Sequence, residues 1–512
     1  MKAKFLIFSI FLLFLIGCSQ KETVFRTVYT EKPKNFDPLT LDAYANLINR
    51  NIYETLVRFE NNQYLPVIAN YWSLQEGLMI LNINKNIRFS DGTFLTIEDV
   101  KKSLERNMWH PERYFLNTES LIDSLVIHDD NFLHIHFNTI TNMLHYLTLL
   151  PIYKIVDHEY SMENLFTIPP IATGEYVFDE FIHDKIVLSK NKFHRDFNKN
   201  RRSPDIVEIF IESNFETQYQ MFIAQEIDFL MNVPIAAYKD IFYMPDITII
   251  ERPSDNILLM FFNLSDGEFS SSGSSSQTNF SNNPLKDRRV RQAMASSIDI
   301  KGYIQNELAG KANLLVLPVL QRLYGYPVHL EPYNYDVRHG KNLMSEAGQS
   351  SGFKLNLAYL DGRLTSSAAN LIKESLKEIN IDVNLSPYSV VDYGTTVRES
   401  KYQLYLQGWS QREYSSVRHA INAFFSITLH NYVYFYQSEA NYPYMRYLLS
   451  RLYSMNEYDP LLADVYIELS DLLYEEVYIL PFYEPLDIYI LYERFTLDFT
   501  ERYRFIDFKV KR

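Results

Sequence analysis

Cysteine is nearly absent: Cys18 is the only one in 512 residues. That excludes an internal disulfide and a cysteine-based metal cluster, so stability must come from packing. Glycine is scarce too, 15 residues against 39 Tyr and 35 Phe, which disfavours folds that cradle phosphates in glycine loops. Positive charge is in the minority, 49 Lys and Arg against 63 Asp and Glu, and a net charge of −14 argues against a nucleic-acid partner. Beyond the N-terminal segment, no apolar run approaches the ~20 residues that span a bilayer. No His-Glu-x-x-His helix, Gly-x-Ser-x-Gly elbow or phosphate loop is present. Carboxylates are plentiful, but none are paired by the sequence as an acid/base couple. No catalytic residue, resident metal or cofactor is therefore assigned.

What is there begins with the place of that cysteine. Lys2 and Lys4 form a positive start, Phe5 to Ile16 form an apolar stretch, and Gly17 precedes Cys18. The segment resembles a bacterial lipoprotein signal, with residues 1–17 removed and Cys18 acylated. Two or more acyl chains make a stable anchor, at roughly 0.8 kcal/mol per buried CH2. Loss of Lys2 and Lys4 leaves 47 basic residues against 63 acidic, a mature net charge of −16. The expected location is the cell envelope, on the periplasmic or extracytoplasmic face. Ser19 carries no aspartate retention signal, which leaves inner and outer membrane both open.

Further along, two periodicities alternate. Leu81, Ile83, Ile87 and Phe89 alternate with Asn82, Asn84, Asn86 and Arg88, a strand with one wet face. Asp91-Gly92 makes a turn, and Thr96 with Asp99 opens an amphipathic helix through Arg106. Val290, Ala293, Met294 and Ile298 share a helix face, as do Leu343, Met344 and Ala347 before a stop at Gly348. A helix from Ala368 to Ile379 ends at Asn380, and Ile381, Val383 and Leu385 alternate as a strand. A last long helix runs near Leu461 to Val477. The class is α/β or α+β with several domains. Ser265 to Asn283 has the composition of a flexible surface insertion. His128, His134 and His136 share one parity; without a carboxylate in register they read as a polar strand face, not a metal site.

Three stretches then resemble the extracellular solute-binding proteins of peptide-type ABC importers, the family of dipeptide, oligopeptide and nickel-chelate receptors (family 5 type). The first holds Asn35-Phe36-Asp37-Pro38, Asn51 to Val57, Pro66 to Trp72, Ile87 to Thr93 and Thr96 to Arg106. The second holds Gly174-Glu175-Tyr176, Ala224 to Asp228, Phe261-Phe262-Asn263, Pro284 to Asp287 and Val290 to Met294. The third runs from Tyr335-Asp336 through Glu346-Ala347-Gly348, Ile379 to Val383 and Tyr402 to Trp409 to Ile479-Leu480-Pro481-Phe482-Tyr483. The resemblance implies a two-lobed, periplasmic-binding-protein type II-like fold with an extra domain and a hinge between the lobes. It implies lobe I from 18–56, 170–264 and 480–512, an extra domain II from 57–169, the insertion 265–283, and lobe III from 284–479.

In peptide-binding relatives the ligand lies extended between the lobes, held by strand-like hydrogen bonds and wet side-chain pockets. Carried over by position, the ligand-facing residues are Asp42, Tyr44, Phe262, Asn263, Gln407, Gly408, Trp409 and Tyr483. Those relatives place an aspartate three residues after the tryptophan, paired with the ligand's α-amino group; here Arg412 stands there, followed by Glu413. A cation cannot hold an ammonium. Either Glu413 or Asp42 takes over, or the ligand presents an acid to the planar fork of Arg412, or Arg412 faces solvent or pairs with Glu413.

The expected function is capture of a peptide or peptide-like solute by a monomer, and its delivery to an ABC permease, with membrane contact through the lipid anchor. The alternatives are a receptor for a metal chelate, or a surface lipoprotein of the same fold acting as adhesin, sensor or scavenger without transport. A hydrolase in the cleft is a third, more distant reading.

Overall fold

The computed structural model describes residues 22–40, 42–60, 63–75, 77–109, 122–137, 143–154, 171–265, 283–411, 416–425, 435–436, 440–455, 459–497 and 503–511. Cys18, Arg412 and Glu413 lie outside them, as does the interior of the Ser-rich stretch. The two ends of that stretch meet, because Asn283 Nδ2 donates to the carbonyls of Asn263 (2.8 Å) and Ser265 (3.3 Å).

Local structure follows the two periodicities. Leu78–Ile83 is a strand that buries Met79, Leu81 and Ile83. Thr96 and Asp99 exchange hydrogen bonds reciprocally, Thr96 N to Asp99 Oδ2 at 2.9 Å and Asp99 N to Thr96 Oγ1 at 3.2 Å, at the start of the helix Ile97–Trp109. The helix Val337–Glu346 is followed by Gly348 at φ +70°, and Arg363–Lys377 by Asn380 at φ +62°. In both, a residue that tolerates the left-handed region ends the helix. The last long helix is Leu462–Glu476.

Twelve strands form one sheet. Its path runs Tyr176–Ile182, Lys185–Lys190, Ile206–Ile211, Val24–Tyr29, Phe229–Leu230, Ile479–Tyr492, Asn256–Phe262, Leu404–Ser410, Phe353–Leu360, Ile381–Tyr388. Ile247–Pro253 and Ala312–Leu314 also pair with the long strand Ile479–Tyr492. Val24–Tyr29 runs parallel to Ile206–Ile211 with Val24 opposite Ile206, and Phe353–Leu360 runs parallel to Ile381–Tyr388.

The apolar side chains gather into separate cores. One lies among residues 25–231 and 489–508, with a satellite beneath Val28, Phe222 and Ile488. A second spans 257–483. A third, Leu56 to Ile152, backs a four-stranded antiparallel sheet ordered Ala69–Gln75, Leu78–Ile83, Phe132–Phe137, Ile122–Ile127. Ion pairs on buried carboxylates stand at the boundary between this third unit and the first. Arg106 forks onto Asp37 at 2.7 and 3.2 Å, and Arg195 onto Glu54 at 2.7 and 2.8 Å. The histidines of the small sheet lie on its outer side: the rings of His128 and His134 stack at 5.0 Å.

Candidate functional site

The two larger cores are joined at two adjacent chain crossings. The first is Pro253–Asn256, between the strands Ile247–Pro253 and Asn256–Phe262. The second lies within Ile479–Tyr492, whose first part pairs with Asn256–Phe262 and whose second part pairs with Ile247–Pro253. Ser254 N donates to Pro485 O at 2.9 Å, so the crossings touch.

Charged side chains surround this junction. Arg322 donates from Nη1 to Glu484 Oε1 (2.6 Å) and Ser254 O (3.1 Å), and from Nη2 to Asp255 Oδ1 (2.5 Å). Arg252 lies 3.7 Å from both Asp255 and Asp487, and Asn313 Nδ2 donates to Glu484 Oε2 at 3.2 Å. Asp255 thus sits between an arginine from each side. Burial raises the pKa of Glu484 above the ordinary carboxylate value despite Asn313 and Arg322, and burial likewise raises Asp487 despite Arg252.

The strand Leu404–Ser410 brings the tryptophan motif to this junction. Asn256 pairs with Ser410, Ile257 with Trp409 and Leu258 with Gly408. Just beyond, Gln411 N donates to Asp255 O (2.8 Å), while its carboxamide accepts from Leu320 N and donates to Pro318 O, both at 2.8 Å. Gln411 therefore fixes where the chain leaves the strand. On the other side, Phe353–Leu360 pairs with Leu404–Leu406 and its register ends at Tyr359 opposite Leu406, so that strand stops short of Gly408. Gly408 is exposed, and a Cβ built on it would meet nothing within 4 Å.

The other expected site residues divide. Trp409 is 9% exposed, and its ring packs against Phe424 at 4.8 Å and Phe261 at 6.3 Å, so most of it is core. Gln407 lies beside it, buried opposite Leu259. Asp42 caps the helix Ala43–Ile52, its Oδ1 accepting from Ala45 N at 2.7 Å. Tyr44 is half-buried, its hydroxyl shares a hydrogen bond with Thr30 Oγ1, and its ring lies 5.8 Å from Tyr29.

Three of the expected ligand-facing residues are buried in this conformation. Phe262 is wholly buried in the second core. Asn263 is wholly buried as well, and its carboxamide is consumed internally: Nδ2 donates to Tyr402 O (2.9 Å) and Ser400 O (3.3 Å), and Oδ1 accepts from Ser265. Tyr483 stacks on Tyr303 at 6.1 Å inside the same core, where burial pushes its pKa well above the ordinary tyrosine value. Phe262 and Tyr483 lie in continuous apolar strand runs, which bury both faces. Sequence reasoning missed Asp255, Arg322 and Glu484. The available signal was the charge of Glu484, which interrupts an apolar strand run where an unpaired carboxylate would be costly; Asp255, in the polar link between two strands, carried no such signal.

One further cluster places three ligand-type groups together among the described residues: Glu54, Glu175 and His194, all buried. Guanidinium groups already occupy its carboxylates, Arg195 on Glu54 and Arg504 on Glu175. Its chemistry is that of an ion-pair network.

Comparison with known proteins agrees with this architecture. Residues 63–428 match the family described as bacterial extracellular solute-binding proteins, family 5 Middle. Heme-binding protein A of Haemophilus influenzae is 22% identical over 430 residues, covering 77% of this chain and 75% of that protein. Oligopeptide-binding protein AppA of Bacillus subtilis is 21% identical over 434 residues, covering 77% and 73%. Among solved structures, NikA from Brucella suis in complex with Fe(III)-EDTA superposes with a TM-score of 0.82 at 15% identity, covering 95% of this chain and all of that one. DppA from Helicobacter pylori in complex with the peptide STSA gives 0.73 at 20% identity, covering 96% and 99%. With a matched core of this extent and two lobes meeting at a double crossing, the chain belongs to the bacterial extracellular solute-binding proteins of family 5, which are binding proteins and not enzymes.

Proposed function

We propose that this protein is a lipid-anchored receptor that captures a peptide or peptide-like solute between its lobes and hands it to an ABC permease. The lobes are the two larger cores, with the Leu56 to Ile152 unit as the extra domain. The observation that carries the peptide reading is Gly408: an exposed, side-chain-free strand position beside the interlobe junction, which the neighbouring parallel strand does not reach. An extended peptide can add its backbone along such an edge. The double crossing supports closure, because two short connections confine relative motion to one hinge. Arg412, where peptide-binding relatives are expected to hold an aspartate, points to a ligand not anchored by its amine in the usual way.

The likeness to heme-binding protein A and to a NikA structure with a metal chelate favours a second reading, a receptor for a chelate. One experiment separates the two. Protein purified from its own cells is denatured, and the released small molecule is identified by mass spectrometry. A peptide supports the first reading, a metal complex or porphyrin the second. Adding the identified molecule back to stripped protein should shrink the radius of gyration in small-angle scattering; an unchanged radius would contradict capture by closure.

A further inference from the structure

Charge is distributed unevenly over this acidic chain. Residues 190–205 hold six basic residues against two acidic ones, a local net of four positive charges. Some are committed to structure: Arg195 to Glu54, Lys190 to Asp205, Lys199 to Asp196. Others are not. Among the described residues, Lys192 and Arg201 are exposed with no carboxylate within ion-pair distance, and Arg202 gives its guanidinium to the carbonyl of Val510. Phe197 stands half-exposed between them.

The loop is well fastened. Lys199 N and Asn200 N donate to Asp196 O at 2.9 and 3.1 Å, and Val510 N returns a bond to Arg202 O at 2.8 Å. The same place holds the start of the first strand: Thr23 N donates to Asp205 Oδ2 at 3.0 Å, and Asp205 N to Thr23 O at 2.8 Å. Cys18 is five residues upstream of Thr23. Fully extended, five residues reach at most about 18 Å. An acyl chain on Cys18 would therefore hold this basic loop within a short distance of the bilayer surface, where the range of unscreened attraction is about 10 Å.

We infer that the loop 192–202 is a membrane-docking face that takes anionic phospholipid headgroups, and that it fixes how the receptor stands on its anchor. The inference rests on the lipid-anchor reading for its geometry. Its chemistry does not: exposed basic side chains with an aromatic among them attract anionic headgroups, and on a chain already held by its acyl groups they set orientation and not retention. The overall negative charge makes this localised, because the rest of the surface is repelled.

The test uses two preparations. Acyl-free protein beginning at Ser19 is floated with vesicles of phosphatidylcholine alone or enriched in phosphatidylglycerol, at low and high salt. It should bind only the anionic vesicles, lose binding in salt, and lose on the order of 100-fold in partition for Lys192→Glu/Arg201→Glu/Arg202→Glu. An unchanged melting temperature shows that the triple variant folds. Equal flotation of wild type and variant, or no preference for anionic lipid, overturns the docking face. The lipidated protein is examined separately by intact mass and by hydrogen exchange on the same vesicles. An unmodified Cys18 overturns the anchor without touching the flotation result, whereas acylated protein with no protection of 192–202 on anionic lipid overturns the docking face alone.

Discussion

At the scale of single residues, neighbours in the Gly-Trp pair have opposite roles. Gly408 is in an extended strand with no left-handed φ, and open space surrounds the position of its missing Cβ. Gly408→Val should leave stability within about 0.5 kcal/mol of wild type, as for substitutions that disturb no packing. The isopropyl group would project over the proposed ligand edge, so affinity for the identified ligand should fall at least tenfold by calorimetry. Unchanged affinity would move the binding edge elsewhere. Trp409 behaves in the reverse sense, because its ring fills space between Phe261 and Phe424. Trp409→Ala should cost about 3–5 kcal/mol in denaturant unfolding. Trp409→Phe should recover much of that loss, which a purely ligand-contacting tryptophan would not require.

Among elements, the junction of Pro253–Asn256 with Ile479–Tyr492 governs how the lobes move. Arg322 reaches it from the second core and neutralises Asp255 and Glu484, both of which are buried. Arg322→Ala removes the guanidinium shared by both, leaving Arg252 beside Asp255 and Asn313 beside Glu484. The arginine is itself partly exposed, so water screens part of the loss, and about 1–2 kcal/mol of destabilisation is expected. Its second effect should be a broader distribution of lobe separations by double electron-electron resonance; a distribution identical to wild type would show that the clamp does not restrain the hinge. This junction was only half legible in the sequence. The strands, the helices at 97–109, 337–346 and 462–476 and their stops followed from period and cap chemistry, which are local. The motif residues behind the family resemblance were legible as a pattern, yet several prove to be internal clamps: Asp37 to Arg106, Glu54 to Arg195, and Arg291, wholly buried against Glu476. Their partners lie 69, 141 and 185 residues away, a separation that no local rule connects. The internal hydrogen bonds of Asn263 are illegible for the same reason, since they run to Ser400 and Tyr402.

For the whole molecule, two sets of carboxylates give stability opposite dependences on pH. Burial alone would raise Glu54, but the facing His194 imidazole and two hydrogen bonds from Arg195 outweigh it and hold the carboxyl well below its ordinary value of 4.5. His194 Nδ1 accepts from Asp196 N at 3.2 Å, which leaves its Nε2 facing Glu54 at 3.6 Å. A group with a lowered folded pKa contributes stability that is present above its unfolded value and is lost as pH falls through the folded one. Glu484 and Asp487 are raised by burial, so the folded state binds their protons more readily than the unfolded state, and stability rises as pH falls toward the ordinary carboxylate range. The expected profile of melting temperature is a gain from neutral to mildly acidic pH, then a steep fall below about 4.5. Glu54→Gln strands Arg195 and should cost about 3 kcal/mol at neutral pH while flattening the acid limb. Glu484→Gln should remove much of the mild-acid gain and leave the acid limb in place. If calorimetry from pH 7 to pH 3 instead gives both variants the shape of wild type, ionisation of these groups is not what couples the packed lobes to pH.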